Sequence, residues 1–209
     1  MKLYTTVKTV GQIEIVEKRS RFLGYVSPAK TEADALSFLS AIRKKHSDAN
    51  HNVYAYNLRE NNTARFSDDG EPSGTAGLPV LDVLKKEGVT DVVAVITRYF
   101  GGTLLGTGGL VHAYSAAAKE ALHAARKAEM VLCREITAAY AYPLHSKVLS
   151  CTEPALSRDV EYADNVTMTL FVPADEAEAA VSGITEATYG QAAVTASDTE
   201  IYIERIGTT

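Results

Sequence analysis

DVVAVITRYFGGTLLGTGGLVHAYSAAAKEALHAA, residues 91–125, decides how the rest of the chain is read. Its first part, Asp91 to Arg98, is an apolar run rich in Val and Ile, which predicts a largely buried strand. Its last part is alanine-rich with helical spacing, which predicts a long helix from about Leu110 to Arg126. Between them lie Gly101, Gly102, Gly106, Gly108 and Gly109, five glycines in nine positions. A strand, a glycine loop and a helix in that order suit a close backbone approach. Free N–H groups at the start of the helix can hold a phosphate or a carboxylate. Thr103 and Thr107 would add hydroxyls, and Arg98 would add charge. The loop is neither GxxxxGK[ST] nor GxGxxG, so it carries no nucleotide-binding fingerprint. A tight crossover whose glycines serve packing alone is the competing explanation.

Towards the N-terminus, Gln12–Glu17 and Arg21–Pro28 read as strands joined through Lys18 to Arg21. Thr31 caps a helix running to about Lys45. The helix has an acidic start (Glu32, Asp34) and a basic end (Arg43, Lys44, Lys45), both matched to its dipole. Asn52 to Leu58 alternates as a strand, and Arg59–Thr63 is a polar turn. Residues 64–79, ARFSDDGEPSGTAGLP, hold three Gly and two Pro around Asp68, Asp69 and Glu71. Oxygen-rich spacing of this kind suits a hard cation, but the EF-hand pattern is missing. A turn built by Gly70 and Gly74 and capped by Asp68 or Ser73 needs the same residues. A helix is expected from Thr75 or Pro79 to Lys86, stopped by Gly88.

Beyond residue 130 the pattern restarts. Strand (131–142), short helix (143–151), strands 157–162 and 166–172 about an Ala163-Asp164-Asn165 turn, helix (174–187) and strand (192–205) follow. The helix is expected to start with Asp175, Glu176 and Glu178 in its first turn. The order is β-α-β-β-α-β, the split βαβ of a ferredoxin-like domain. The expected fold class is therefore α+β with two domains, 1–130 and 131–209.

The chain has 209 residues, 46% hydrophobic and 22% charged, so wholesale disorder and collagen-like repeats are excluded. Net charge is −5, divided unevenly: residues 1–130 carry +3 and residues 131–209 carry −8. That split speaks against a basic coat protein but leaves room for an anionic partner on the first domain. No signal-peptide h-region and no apolar span of about 18 residues is present, so a cytoplasmic protein without a membrane partner is expected. Cys133 and Cys151 form no CxxC, and free thiols are the simplest reading. His112 and His123 share the long helix roughly 16 Å apart, too far for one metal. HExxH is absent, and no metal, cofactor or catalytic residue is assigned.

RFSDDGEPSGTAGLPVL and RYFGGTLLGTGGLVHAY together resemble the signature of the IMPACT family, and the resemblance covers essentially the whole chain. It implies a first domain similar to the second domain of ribosomal protein S5. It implies a second, ferredoxin-like domain similar to the last domain of elongation factor G. Eukaryotic members of the family are translation regulators that restrain a kinase of initiation factor 2 by binding its activator. Some members carry His-His-Cys before the central strand, where this chain reads His51-Asn52-Val53. The family often has lysines where this chain has Leu78 and His112, so positive charge near the loops is reduced.

The candidate binding residues are Arg65, Ser67, Asp68, Asp69, Glu71, Ser73 and Thr75 in the first motif. In the second they are Arg98, Tyr99, Gly101, Gly102, Thr103, Gly106, Thr107, Gly108 and Gly109. The expected function is a non-enzymatic binding protein linked to translation through RNA, the ribosome or a translation-associated protein. A protein–protein adaptor without nucleic acid is the first alternative. The second is an enzyme on a small anionic substrate, with Asp68, Asp69 and Glu71 as acid, base or Mg²⁺ ligands and Arg65 and Arg98 holding the anion.

Overall fold

The computed structural model describes residues 3–153 and 155–205. The chain is a mixed α+β protein whose contacts divide it into two compact units. One runs from Thr5 to Ala128; the other begins at Glu129 and takes in Leu3 and Tyr4.

The larger unit is built on an antiparallel sheet. β2 (Gly11–Glu17), β3 (Ser20–Pro28), β6 (Val92–Tyr99), β4 (His51–Asn57) and β5 (Ala64–Ser67) lie side by side in that order. β6 is the middle strand and is buried from Val92 to Arg98, which is why its sequence is apolar on both faces rather than alternating. Phe22, Val26, Ala94 and Ile96 point to one side, where α2 (Gly77–Lys86) and α3 (Gly106–Ala125) cover them. Leu23, Tyr25, Val93 and Val95 point to the other, against Ala35, Leu39 and Ile42 of α1 (Glu32–Lys45). The two-residue period of the strands thus feeds two separate cores.

α1 starts on a complete capping box. The Thr31 side chain accepts from the Asp34 N–H, and the Asp34 carboxylate accepts from the Thr31 N–H. α3 presents alanines at 113, 117, 118, 121 and 125 to the sheet, so the helix lies close to it. The approach is tight enough that a Cβ on Gly11 would sit 2.2 Å from the Ala121 carbonyl oxygen. α3 begins at Gly106, four residues before the expected start, and so absorbs the second half of the glycine loop. β5 was not anticipated: its four residues are nearly all exposed and show no hydrophobic period.

The second unit is assembled from β7 (Lys127–Tyr140), α4 (His145–Ser150), β8 (Ser157–Tyr162), β9 (Val166–Pro173), α5 (Ala177–Ala187) and β10 (Ala193–Glu204). A short 3₁₀ turn, Tyr142–Leu144, leads into α4. The strands pair antiparallel as β10-β7-β9-β8, which realises the β-α-β-β-α-β order. Two details differ from expectation. β1 (Leu3–Val7), too short and mixed to signal itself, adds to β7. α5 starts at Ala177, so Asp175 and Glu176 precede it and Glu178 alone supplies an acid in its first turn. Cys133 is buried, Cys151 is half-buried, and both are free thiols.

Candidate functional site

The two glycine-rich motifs meet in the larger unit. β6 carries Arg98 to its end, where the residue is 5% exposed. A buried guanidinium needs a partner, and the first motif supplies it: Arg98 Nη1 donates to Glu71 Oε1 at 2.6 Å. The Tyr114 hydroxyl of α3 donates to the same oxygen at 2.8 Å. Arg98 Nη2 donates to Ser20 Oγ at 3.3 Å, and the guanidinium lies over the rings of Phe22 and Phe100. Burial first, then the charge of Glu71, drives the Tyr114 hydroxyl far above its ordinary range, so it remains a donor. His51 of β4 completes the cluster. Its Nδ1 donates to the Asp69 carbonyl at 2.8 Å, which leaves Nε2 on the side of Glu71, 3.8 Å away.

Over this cluster lies a cavity of about 490 Å³. Glu71, Arg98, His51 and Asn50 form its polar lining, and Pro72, Phe100, Leu104, Leu105 and Leu110 its apolar lining. Gly106 and Thr107, at the start of α3, close the remaining side. No side chain caps this helix end, and the first N–H groups of a helix have no partner within it.

The other candidate residues have different tasks. Asp68 is a backbone clamp: its carboxylate accepts from the N–H groups of Gly74, Ala76 and Gly77 at 2.8–3.0 Å. Asp69 accepts from Arg43 at 2.8 Å and from the Asn52 N–H at 2.7 Å. Ser67 Oγ accepts from the Asp69 N–H, and the Thr75 hydroxyl donates to the Pro72 carbonyl. The aspartates of the enzyme alternative are therefore occupied in holding the loop. Arg65 lies outside the cavity lining. It is exposed and pairs with Glu32 at 3.3 Å, and Glu32 in turn accepts from Tyr56. Burial, and then that bond, pushes the Tyr56 hydroxyl up to about 12.

Tyr99 faces the opposite side of the sheet and donates to Asp48 at 3.0 Å. Ser73 and Thr103 are exposed and do not line the cavity. Gly101 packs on the β2–β3 turn, where a Cβ would sit 2.0 Å from the carbonyl carbon of Arg19, and its N–H donates to Ser20 Oγ. Gly102 and Gly106 need glycine for another reason, with φ of +80° and +74°. Gly109 contacts Leu105, whereas nothing lies within 4 Å of a Cβ placed on Gly108.

Sequence reasoning missed His51, Tyr114, Ser20 and the apolar wall. Only the alternation of β4 and the 3.6-residue period of α3 signalled which way His51 and Tyr114 face. It placed the connection between β2 and β3 at Lys18 to Arg21 but did not give its backbone conformation. There Lys18 and Arg19 are both exposed and both left-handed, with φ of 44° and 71°.

An α+β unit with a strand–glycine loop–helix cavity, followed by a ferredoxin-like unit, is the class these features define. Residues 18–122 match the Impact N-terminal domain, and residues 153–191 match a domain of unknown function, DUF1949. The chain belongs to the IMPACT family. It is 40% identical over 191 residues to the IMPACT family member YvyE of Bacillus subtilis, covering 90% of this chain and 88% of that protein. It is 38% identical over 144 residues to YigZ of Escherichia coli, covering 66% and 65%. Protein IMPACT of Homo sapiens is 32% identical over 104 residues, and the match spans 32% of its length. A crystal structure of a hypothetical protein superposes with a TM-score of 0.62 at 28% identity, covering 93% of this chain and 97% of that one.

Proposed function

We propose that this is a non-enzymatic binding protein acting in translation, and that its larger unit holds single-stranded RNA at the β2–β3 turn. The translation link rests on the family. The RNA reading rests on one observation, the left-handed Lys18 and Arg19. A two-residue hairpin of this shape favours Asn-Gly, because Gly has no Cβ and Asn hydrogen-bonds locally, whereas other side chains are strained there by about 1–2 kcal/mol per residue. Lys and Arg at both positions keep two exposed cations at a cost in stability. Strain of that kind gathers at functional sites. Gly101 packs on the same turn, and the residue before it, Phe100, is an exposed aromatic. Cations that follow a phosphate backbone beside an exposed ring match how single strands are held.

The test is fluorescence anisotropy with a labelled oligouridylate across a salt series, on the full chain and on Lys18→Asn/Arg19→Gly. The wild-type chain should bind at low salt. The variant should bind more weakly, with a salt slope shallower by about 1.4 for two lost single-strand phosphate contacts. It should also resist urea better, so weaker binding is not unfolding. No binding at low salt, or an unchanged slope, contradicts the reading.

A protein contact is the second reading, and the exposure of Leu104 (82%) and Phe100 (45%) favours it. Salt-resistant association with a ribosomal protein, abolished by Leu104→Asp and indifferent to the turn variant, would replace the first reading.

A further inference from the structure

The cavity beside this turn has three features that the RNA reading does not use. First, its floor is already electrically balanced, because Glu71 is satisfied by Arg98 and Tyr114. A balanced floor under apolar walls gives a dianionic phosphate little return for losing its water. Second, the uncapped start of α3 opens into it, which favours one negative charge on the backbone N–H groups. Gly108 sits in that first turn with no left-handed φ and open space where a Cβ would be. Neither conformation nor packing requires glycine there, although glycine weakens a helix. Next to the lining residues Gly106 and Thr107, Gly108 adds no side chain over the first turn of the helix. Third, Arg98 lines the cavity, and its Nε is the one buried side-chain donor without a partner among the described residues.

We infer that this cavity binds a small monoanion: a single carboxylate on an apolar body, with the carboxylate at the start of α3 and the body against Leu105, Leu110 and Phe100. A volume of about 490 Å³ accommodates such a ligand in full. A free carboxylic acid and the C-terminus of a chain ending in an apolar residue share this chemistry.

The inference is tested by amide NMR titration of the full chain with four probes. These are 4-methylpentanoate, its neutral amide, inorganic phosphate and the peptide Gly-Gly-Ala-Leu with a free C-terminus, the amidated peptide serving as its control. Saturable shifts at the amides of residues 106–109 are expected with a carboxylate probe, and about tenfold or weaker binding with its amide. Binding of both the acid and the free-ended peptide, or of the acid alone, assigns the site to a free acid. Binding of the free-ended peptide alone assigns it to a chain end. Gly108→Ala should keep or raise the melting temperature while weakening the carboxylate about tenfold. Equal affinity for acid and amide, stronger binding of phosphate, no saturation by about 10 mM of any carboxylate probe, or undiminished binding by Gly108→Ala overturns the inference.

Discussion

Glu71 is the residue on which the larger unit's polar core turns. It serves Arg98 and Tyr114 from one oxygen, and its side chain is 4% exposed. Glu71→Gln leaves a buried guanidinium uncompensated, and the expected loss is about 3–5 kcal/mol in urea unfolding. A loss below about 1 kcal/mol would show that water or another group takes over. The sequence marked Glu71 as one of three neighbouring acids but not which acid faces inward. That depends on the turn through Asp69, whose φ of 45° rotates successive side chains apart.

His46 makes a second prediction. Tyr25 donates to its Nε2 at 2.7 Å, its Nδ1 donates to Tyr99 at 2.9 Å, and the Tyr99 hydroxyl donates in turn to Asp48 at 3.0 Å. This chain requires neutral imidazole. Burial holds the His46 pKa below its ordinary value, helped by Lys45 and Arg21 and opposed by Asp48. The unfolded chain therefore binds the proton more readily, and stability falls as pH drops below about 6.5 until the folded-state value is passed. His46→Gln should flatten the urea midpoint between about pH 7 and 5. An unchanged slope would assign the pH dependence to another group.

At the scale of elements, periodicity carried most of the fold. β3, β6, α1 and α3 were legible because each shows one clear period or a cap: Thr31 and Asp34 for α1, the Val/Ile run for β6. β1 and β5 were not, because five and four residues of mixed exposure give no period. The early start of α3 was hidden by glycine. A residue that disfavours helices was read as loop, yet the helix starts at Gly106, and Gly106 and Thr107 line the cavity. Asp68 stood open between two readings, a ligand and the cap of a turn, and it takes the second. A carboxylate among glycines resembles a ligand, but here it ties the loop before α2 through three N–H groups. Asp68→Ala should cost about 2–3 kcal/mol, above a single lost cap, and Asp68→Asn should recover part of that. Equal stability of Asp68→Ala and the wild-type chain in thermal unfolding would contradict the clamp.

At the scale of the molecule, the charge contrast between the two stretches of chain had been visible from composition alone. The restart near residue 130 was likewise legible from the pattern. The assignment of Leu3 and Tyr4 to the second unit was not, since strand addition at a distance of over a hundred residues leaves no local trace. The site was half legible. Both motifs were found, and the structure brings Glu71, Arg98, Gly106 and Thr107 to one cavity. It also pairs Arg98, one of the two arginines expected to hold an anion, with Glu71, and it sets the exposed Lys18 and Arg19 on a turn whose backbone angles no residue count reveals.

On the proposed function, Lys18 and Arg19 accept backbone strain in order to bind RNA. The salt-dependent affinity of the full chain for single-stranded RNA, measured together with its urea midpoint for wild type and Lys18→Asn/Arg19→Gly, tests it most directly. The variant is expected to be more stable by about 1–2 kcal/mol and to bind RNA less tightly with a shallower salt slope. A variant that gains stability and keeps full affinity would contradict it.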